Sequence, residues 1–213
     1  MLIYLRGHDL WRYPDTARKM FQDRALQFGG RRGWNVDIDS IGCETDQYDP
    51  ENPLYVISRS DSNPHQGSMR LMPMAGRTMI REHFPETLPR SVHFAADIWE
   101  CTRFCVMDDA PRLTARALFA AGGAYMAHHD IKRMVAIFDE KIRRLYTSVK
   151  LEPTIIGAHR YGEELYFAGS WDMNAAKQAA LQRDTGLSAE QLDRAIVAVD
   201  RSRVHGGARK TAA

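Results

Sequence analysis

The sequence predicts an α/β fold in which one mixed sheet carries helices on both faces. In the first half of the chain, strand-like runs lie next to each other across turn-rich loops, as hairpins do. In the second half they alternate with amphipathic helical runs, which calls for parallel as well as antiparallel pairing. The 213 residues are 44% hydrophobic, enough for one large core, and no repeat or linker divides them. A single domain is expected over residues 1–205, with a disordered tail at 206–213.

The elements follow in order. A helix is expected from about Tyr13 to Phe28, because Pro14 suits a first helical turn and Gly29-Gly30 supplies a stop. Trp34 to Pro53 is rich in Asp, Gly and Pro and reads as irregular chain. Strands at Leu54–Arg59 and Ser68–Pro73 flank the hairpin loop Ser60–Gln66, and a short helix covers Thr78–Phe84. Val92–Val106 has the β-branched, aromatic and small residues of a long central strand. Pro111–His128 is helical, and Met134–Phe138 is a short apolar strand. Asp139–Val149 is an amphipathic helix with Ile142, Leu145 and Tyr146 inward. Strands at Thr154–Ala158 and Glu164–Trp171 precede two closing helices, the second opened by the capping box Ser188 and Gln191.

Composition excludes several classes. Charged residues are 26% and the net charge is +2, so neither disorder nor nucleic-acid binding is indicated. No run approaches the roughly 18 apolar residues of a membrane span, and the N-terminal apolar run is too short for a signal peptide. Cys43, Cys101 and Cys105 have no metal-ligand spacing and imply no disulfide framework. Free thiols without an export signal point to the cytoplasm. His128-His129 reads as a helix-end pair, and Gly122-Gly123 lacks the context of a nucleotide loop.

Chemistry is carried by charged and aromatic residues where a strand or loop has no structural use for them. Arg24 and Phe28 share a helix face, being four apart. Trp34 follows a glycine, Asp46 and Asp49 lie in the turn-rich segment, and Arg70 interrupts the strand MRLMP. Phe84 ends the short helix, and Glu100 and Arg103 interrupt the longest apolar run. Each has an ordinary structural alternative: core aromatics, Asx turns, or a scaffold ion-pair network. Glu100 is hardest to explain that way, because an acid within an apolar central strand is costly unless paired or used.

Together, Arg24, Phe28, Trp34, Asp46, Asp49, Arg70, Phe84, Glu100 and Arg103 match in order and spacing the signature of the LuxI-type acyl-homoserine-lactone synthases. The chain resembles that family across roughly its first 105 residues, and less sharply to about Trp171. The resemblance implies an acetyltransferase-like α/β/α sandwich with a splayed central sheet. It also implies two substrates, S-adenosylmethionine and an acyl thioester on coenzyme A or acyl carrier protein, and no cofactor, metal, nucleic acid or membrane. Glu100 and Arg103 are expected to be catalytic. Arg24, Phe28, Trp34, Asp46, Asp49, Arg70 and Phe84 are expected to bind S-adenosylmethionine. Family members that prefer 3-oxo chains carry a Thr where this chain has Ala136, so an unsubstituted, branched or aryl acyl group is expected.

The residue types suit that chemistry. An α-amine has a pKa of about 7.7–8.0 and is mostly protonated at neutral pH, so the site needs carboxylates to hold the ammonium and a base to deprotonate it. Glu100, directly or through a water, is the candidate base. Backbone N–H groups on the central strand would stabilise the oxyanion. On a regular strand Glu100 and Arg103 would face opposite ways, so a β-bulge between them is predicted. Lys132, Arg133, Lys141, Arg143, Arg144 and Lys150 form a candidate docking face for an acidic carrier protein. Two alternatives compete: a general N-acyltransferase, disfavoured because DDAPRLTAR stands where a glycine-rich pyrophosphate loop would, and a non-enzymatic ligand-binding regulator, which would show Glu100 exposed and no cleft beside it.

Overall fold

The structure, a computed structural model, describes residues 1–89 and 95–207. Seven strands form one open sheet: β1 (Leu2–Arg6), β2 (Leu54–Ser58), β3 (Gly67–Pro73), β4 (Ile98–Val106), β5 (Arg133–Asp139), β6 (Thr154–Tyr161) and β7 (Glu164–Trp171). Their spatial order is β1-β2-β3-β4-β5-β7-β6, antiparallel throughout except that β4 and β5 run parallel. The parallel pair is joined through α3 (Thr114–His128), the crossover that parallel strands require.

Helices cover both faces. On one, α1 (Pro14–Arg24) buries Met20 against Leu5, Tyr55 and Ile57, and α2 (Met79–His83) buries Ile80 with Met74, Val135 and Ala168. On the other, α3, α4 (Glu140–Ser148), α5 (Ala175–Thr185) and α6 (Ala189–Gly207) enclose the main core, with Leu118, Phe119, Tyr146, Leu181 and Ile196 packed on Val56, Leu71 and Ala136. Buried on both faces, β2 needs apolar side chains at nearly every position, hence the run LYVIS. Ser188 and Gln191 form the expected reciprocal cap, each accepting the other's backbone N–H, at 3.1 and 3.0 Å.

Several elements depart from the expectation. The run LIYLR, too brief to stand out, is an edge strand on β2. Gly29-Gly30 does not stop the first helix. The chain continues as a π-helical turn, Ala25–Arg31, closed when the Trp34 N–H donates to the Phe28 carbonyl at 2.9 Å. The central strand begins at Ile98; Val92 to Phe94 lie outside the described residues. Leu145 is 40% exposed, because only Tyr146 on that turn reaches the core. Strand β6 runs on to Tyr161, and α6 continues to Gly207.

What positions the site is the behaviour of β4. It pairs with β5 only at Ile98, Trp99 and Glu100, after which the two strands part. On its other edge β4 carries a bulge. Arg70 faces Thr102 and Ser68 faces Cys105, so Met69 alone opposes Arg103 and Phe104. Arg103 adopts φ of 50°, in the left-handed region, which absorbs the extra residue.

Candidate active site

The bulge sets which side chains share a face. Trp99 and Cys101 belong to the core under α3, and Phe104 packs edge-on to Phe119 at 5.5 Å. Glu100, Thr102 and Arg103 point to the opposite face, where Thr102 accepts from Arg70 Nε at 2.9 Å and Arg103 donates to Glu44. Alternation therefore breaks between Thr102 and Arg103, as the spacing of Glu100 and Arg103 requires.

Beneath that face lies a closed ion network. Arg24 donates through Nε to Glu44 at 2.5 Å and through both terminal nitrogens to Asp49, each at 2.9 Å. Arg70 donates to Asp46 at 2.5 and 2.8 Å and to Asp49 at 2.8 Å. Arg103 completes it, reaching Glu44 at 2.8 Å and Asp46 at 2.9 Å. Three guanidinium groups thus face three carboxylates, and the fork geometry of Arg suits each bidentate contact. Burial opposes ionisation of Asp49, yet the Arg24 guanidinium outweighs it and holds the carboxyl below the usual range; Arg70 does the same for Asp46. Asp46 also caps its own turn, accepting the Tyr48 N–H at 2.9 Å.

A cleft of about 430 Å³ opens above this network, lined by Trp34, Glu44, Asp46, Met79, Phe84 and Arg103 among others. Trp34 stacks on Phe28, with ring centroids 5.4 Å apart, and the Arg103 guanidinium lies over the Phe28 ring at 5.3 Å. Phe84 packs against Tyr161 and Tyr166, both at 5.2 Å, and still reaches the cleft, so it serves packing and lining together. Ala136 lines a narrower continuation of the cleft between the parted strands.

The structure does not bring every expected residue to the opening. Arg24 and Arg70 are 1% and 0% exposed, and Asp49 lies with them below the cleft floor. They hold the groups that line the cleft rather than lining it themselves. Glu100 is 1% exposed and accepts the N–H groups of Met79 at 3.1 Å and Ile80 at 2.6 Å, at the start of α2. Burial pushes its carboxyl up to about 7, against the pull of those amides and of Arg70. Met79 itself lines the cleft.

Glu44 was not anticipated. It is fully buried yet joins Arg24 to Arg103 and lines the cleft. Its signal was present, as a third acid beside Asp46 in the turn-rich segment, but nothing local separates it from the solvated acids nearby.

The arrangement can hold a cationic group against Glu44 and Asp46, place an aromatic face beside it, and offer the β5-side backbone edge of β4, which among the described residues no strand covers beyond Glu100. A regulator with an exposed Glu100 and no cleft does not fit. Among the described residues no helix is long and apolar enough to cross a membrane.

The autoinducer synthase family model matches residues 9–181. An acyl-homoserine-lactone synthase of Rhizobium etli is 29% identical over 180 residues, covering 81% of this chain and 84% of that protein. Another, from Agrobacterium fabrum, is 38% identical over 96 residues, 45% of each chain. In fold, the chain is similar to the CoA-dependent acyl-homoserine lactone synthase BjaI, solved with SAM and isopentyl-CoA, with a TM-score of 0.78 at 22% identity over 92% of this chain and 99% of that one. It is also similar to the AHL synthase LasI, with a TM-score of 0.72 at 24% identity over 85% and 93%.

Proposed function

The chain belongs to the autoinducer synthase family, and from that premise we infer that it transfers an acyl group from a thioester to the amine of S-adenosylmethionine and closes the product to an acyl-homoserine lactone. The observation that carries this is the cleft itself: carboxylates held by arginines form its floor, and it runs into the gap between β4 and β5.

S-adenosylmethionine lies over the floor, its ammonium toward Asp46 and Glu44. Trp34, backed by Phe28, contributes an aromatic face to the sulfonium, worth about 0.5–2 kcal/mol. Arg24, Arg70 and Asp49 act from below as positioning residues. Arg103 fixes both lining carboxylates and, through the bulge, the backbone around it. The acyl chain occupies the gap past Ala136.

Glu100 takes the ammonium proton through a water, since its own oxygens already accept from Met79 and Ile80. A pKa of about 7 suits a base at neutral pH. The freed amine attacks the thioester carbonyl, backbone N–H groups of the bulged strand stabilise the oxyanion, and the carrier leaves as its thiol. The substrate's carboxylate then displaces methylthioadenosine from the carbon beside the sulfonium, which closes the lactone. That step asks little of the protein, because a sulfonium is a good leaving group. No cofactor enters the scheme, and the activity belongs in the cytoplasm.

The docking face for a carrier protein is weaker than its cations suggest. Lys132 pairs with Asp130, Arg133 with Asp172, and Arg143 and Arg144 both lie near Glu140. Incubation with S-adenosylmethionine and acyl thioesters of coenzyme A and of acyl carrier protein, read by mass spectrometry, tests the function. Lactone and methylthioadenosine in equal amounts are expected; no lactone from any thioester overturns it.

A further inference from the structure

Where β4 and β5 part, the cleft continues as a narrow cavity of about 60 Å³. Its wall is mostly apolar and aromatic: Trp34, Phe104, Ala136, Phe138 and Tyr146. Three charged residues interrupt that wall, Arg32, Arg103 and Asp139, and of these Arg103 is already committed to Glu44 and Asp46. The Arg32 guanidinium lies over the Trp34 ring at 5.3 Å, and its side chain is 15% exposed. Its Nη1 is 3.5 Å from Asp139 Oδ2, at the outer limit of a hydrogen bond. Its Nε is buried and, among the described residues, donates to nothing. Asp139 spends Oδ1 on the Ile142 N–H at 2.8 Å, the cap of α4, which leaves Oδ2 with capacity to accept.

An arginine N–H buried without an acceptor is costly, because its water is lost and nothing replaces it. Packing on Trp34 does not need it, since an unbranched apolar side chain would cover that ring. Arg32 and Asp139, both in the cavity wall, therefore hold one unmet donor and one under-used acceptor, the donor set behind the wall's surface so that a ligand meets it only as the guanidinium shifts. A hydroxyl is the group that answers both, accepting from Nε and donating to Oδ2. A saturated chain would leave both unmet, a keto oxygen would answer only the donor, and a carboxylate would set a second negative charge against Asp139.

We propose that Arg32, with Asp139, is a specificity-determining residue that selects acyl thioesters carrying a hydroxyl on the acyl chain. This rests on the reading that the acyl group occupies the gap between β4 and β5. It revises the expectation drawn from Ala136, which describes only one side of the cavity.

The test uses the purified full chain, saturating S-adenosylmethionine, and thioesters of one chain length: saturated, hydroxylated at each of several positions, and the matching keto compounds. The readout is the ratio of kcat/KM between donors within one protein, which cancels any general loss from a substitution. One hydroxy isomer is expected to exceed the saturated donor by about tenfold or more, because a site built to hydrogen-bond a substrate hydroxyl rejects the analogue lacking it. That ratio should fall toward one in Arg32→Met and in Arg32→Lys, the latter keeping the charge without Nε. A saturated donor as good as every hydroxy isomer, a keto donor as good as the hydroxy one, or a ratio that survives both substitutions overturns the proposal. Absence of lactone from every thioester would instead overturn the assigned reaction.

Discussion

Glu100 has both carboxylate oxygens engaged by backbone N–H groups at the start of α2, and burial governs its acidity. Glu100→Gln should lower kcat by roughly 10²–10⁴-fold while the KM for S-adenosylmethionine stays within a few-fold, measured by lactone release. Because the base must be ionised, kcat/KM of the parent should rise with pH up to about 7 from this group, and the variant should lack that limb. Stability carries the opposite sign. The folded pKa of about 7 lies above the unfolded value of about 4.3, so this group's contribution is fully present below about 4 and is lost as pH rises through 7. Glu100→Gln should lack this dependence, so its stability relative to the parent should rise as pH goes from 5 to 8, read by chemical denaturation, even though its amide NH2 cannot accept from both Met79 and Ile80. Arg24 is a scaffold case. Removing it strands Glu44 and Asp49 as buried charges, so Arg24→Ala should cost about 3–5 kcal/mol and lower activity with it; a denaturant midpoint unchanged from the parent would refute that role.

At the scale of elements, the bulge in β4 decides the site. Arg103 occupies the left-handed region, where a side chain costs about 1 kcal/mol and glycine costs little. Arg103→Gly should accordingly be more stable than Arg103→Ala by about 1 kcal/mol, the reverse of the usual order in a strand, read as a higher Tm. Both should lose activity, since neither holds Glu44 and Asp46. The π-helical turn has a similar role. One added residue per turn carries Phe28 under Trp34, and two glycines that would end an α-helix are tolerated within it.

For the whole molecule, the segment from Arg32 to Tyr48 forms one wall of the cleft, and apart from the Ile38–Glu44 bridge it has no regular structure. S-adenosylmethionine bound against Trp34 and Asp46 should slow hydrogen exchange across residues 32–48 while leaving α5 and α6, on the opposite face of the sheet, unchanged. Exchange indifferent to the ligand in that segment would place the binding elsewhere. With the cations of α4 and β5 largely offset by local acids, raising salt should affect turnover of the carrier-protein donor only modestly.

Periodicity, turn residues and caps are local properties, so the sequence alone determined the order of helices and strands after β1, the hairpin β2–β3, the capping box at Ser188, and the central position of the strand bearing Glu100. The spacing of Glu100 and Arg103 even demanded the bulge, because two residues three apart cannot share a face on a regular strand. Burial, by contrast, is a sum over neighbours distant in the chain. Whether Arg24 reaches solvent depends on Glu44 and Asp49, 20 and 25 residues away, and no local pattern encodes that. For the same reason only the tertiary structure divided the nine signature residues into those that line the cleft and those that brace it from below. It also separated Glu44 from the solvated acids around it, and placed Arg32 with an unmet donor in the wall of the cavity between β4 and β5.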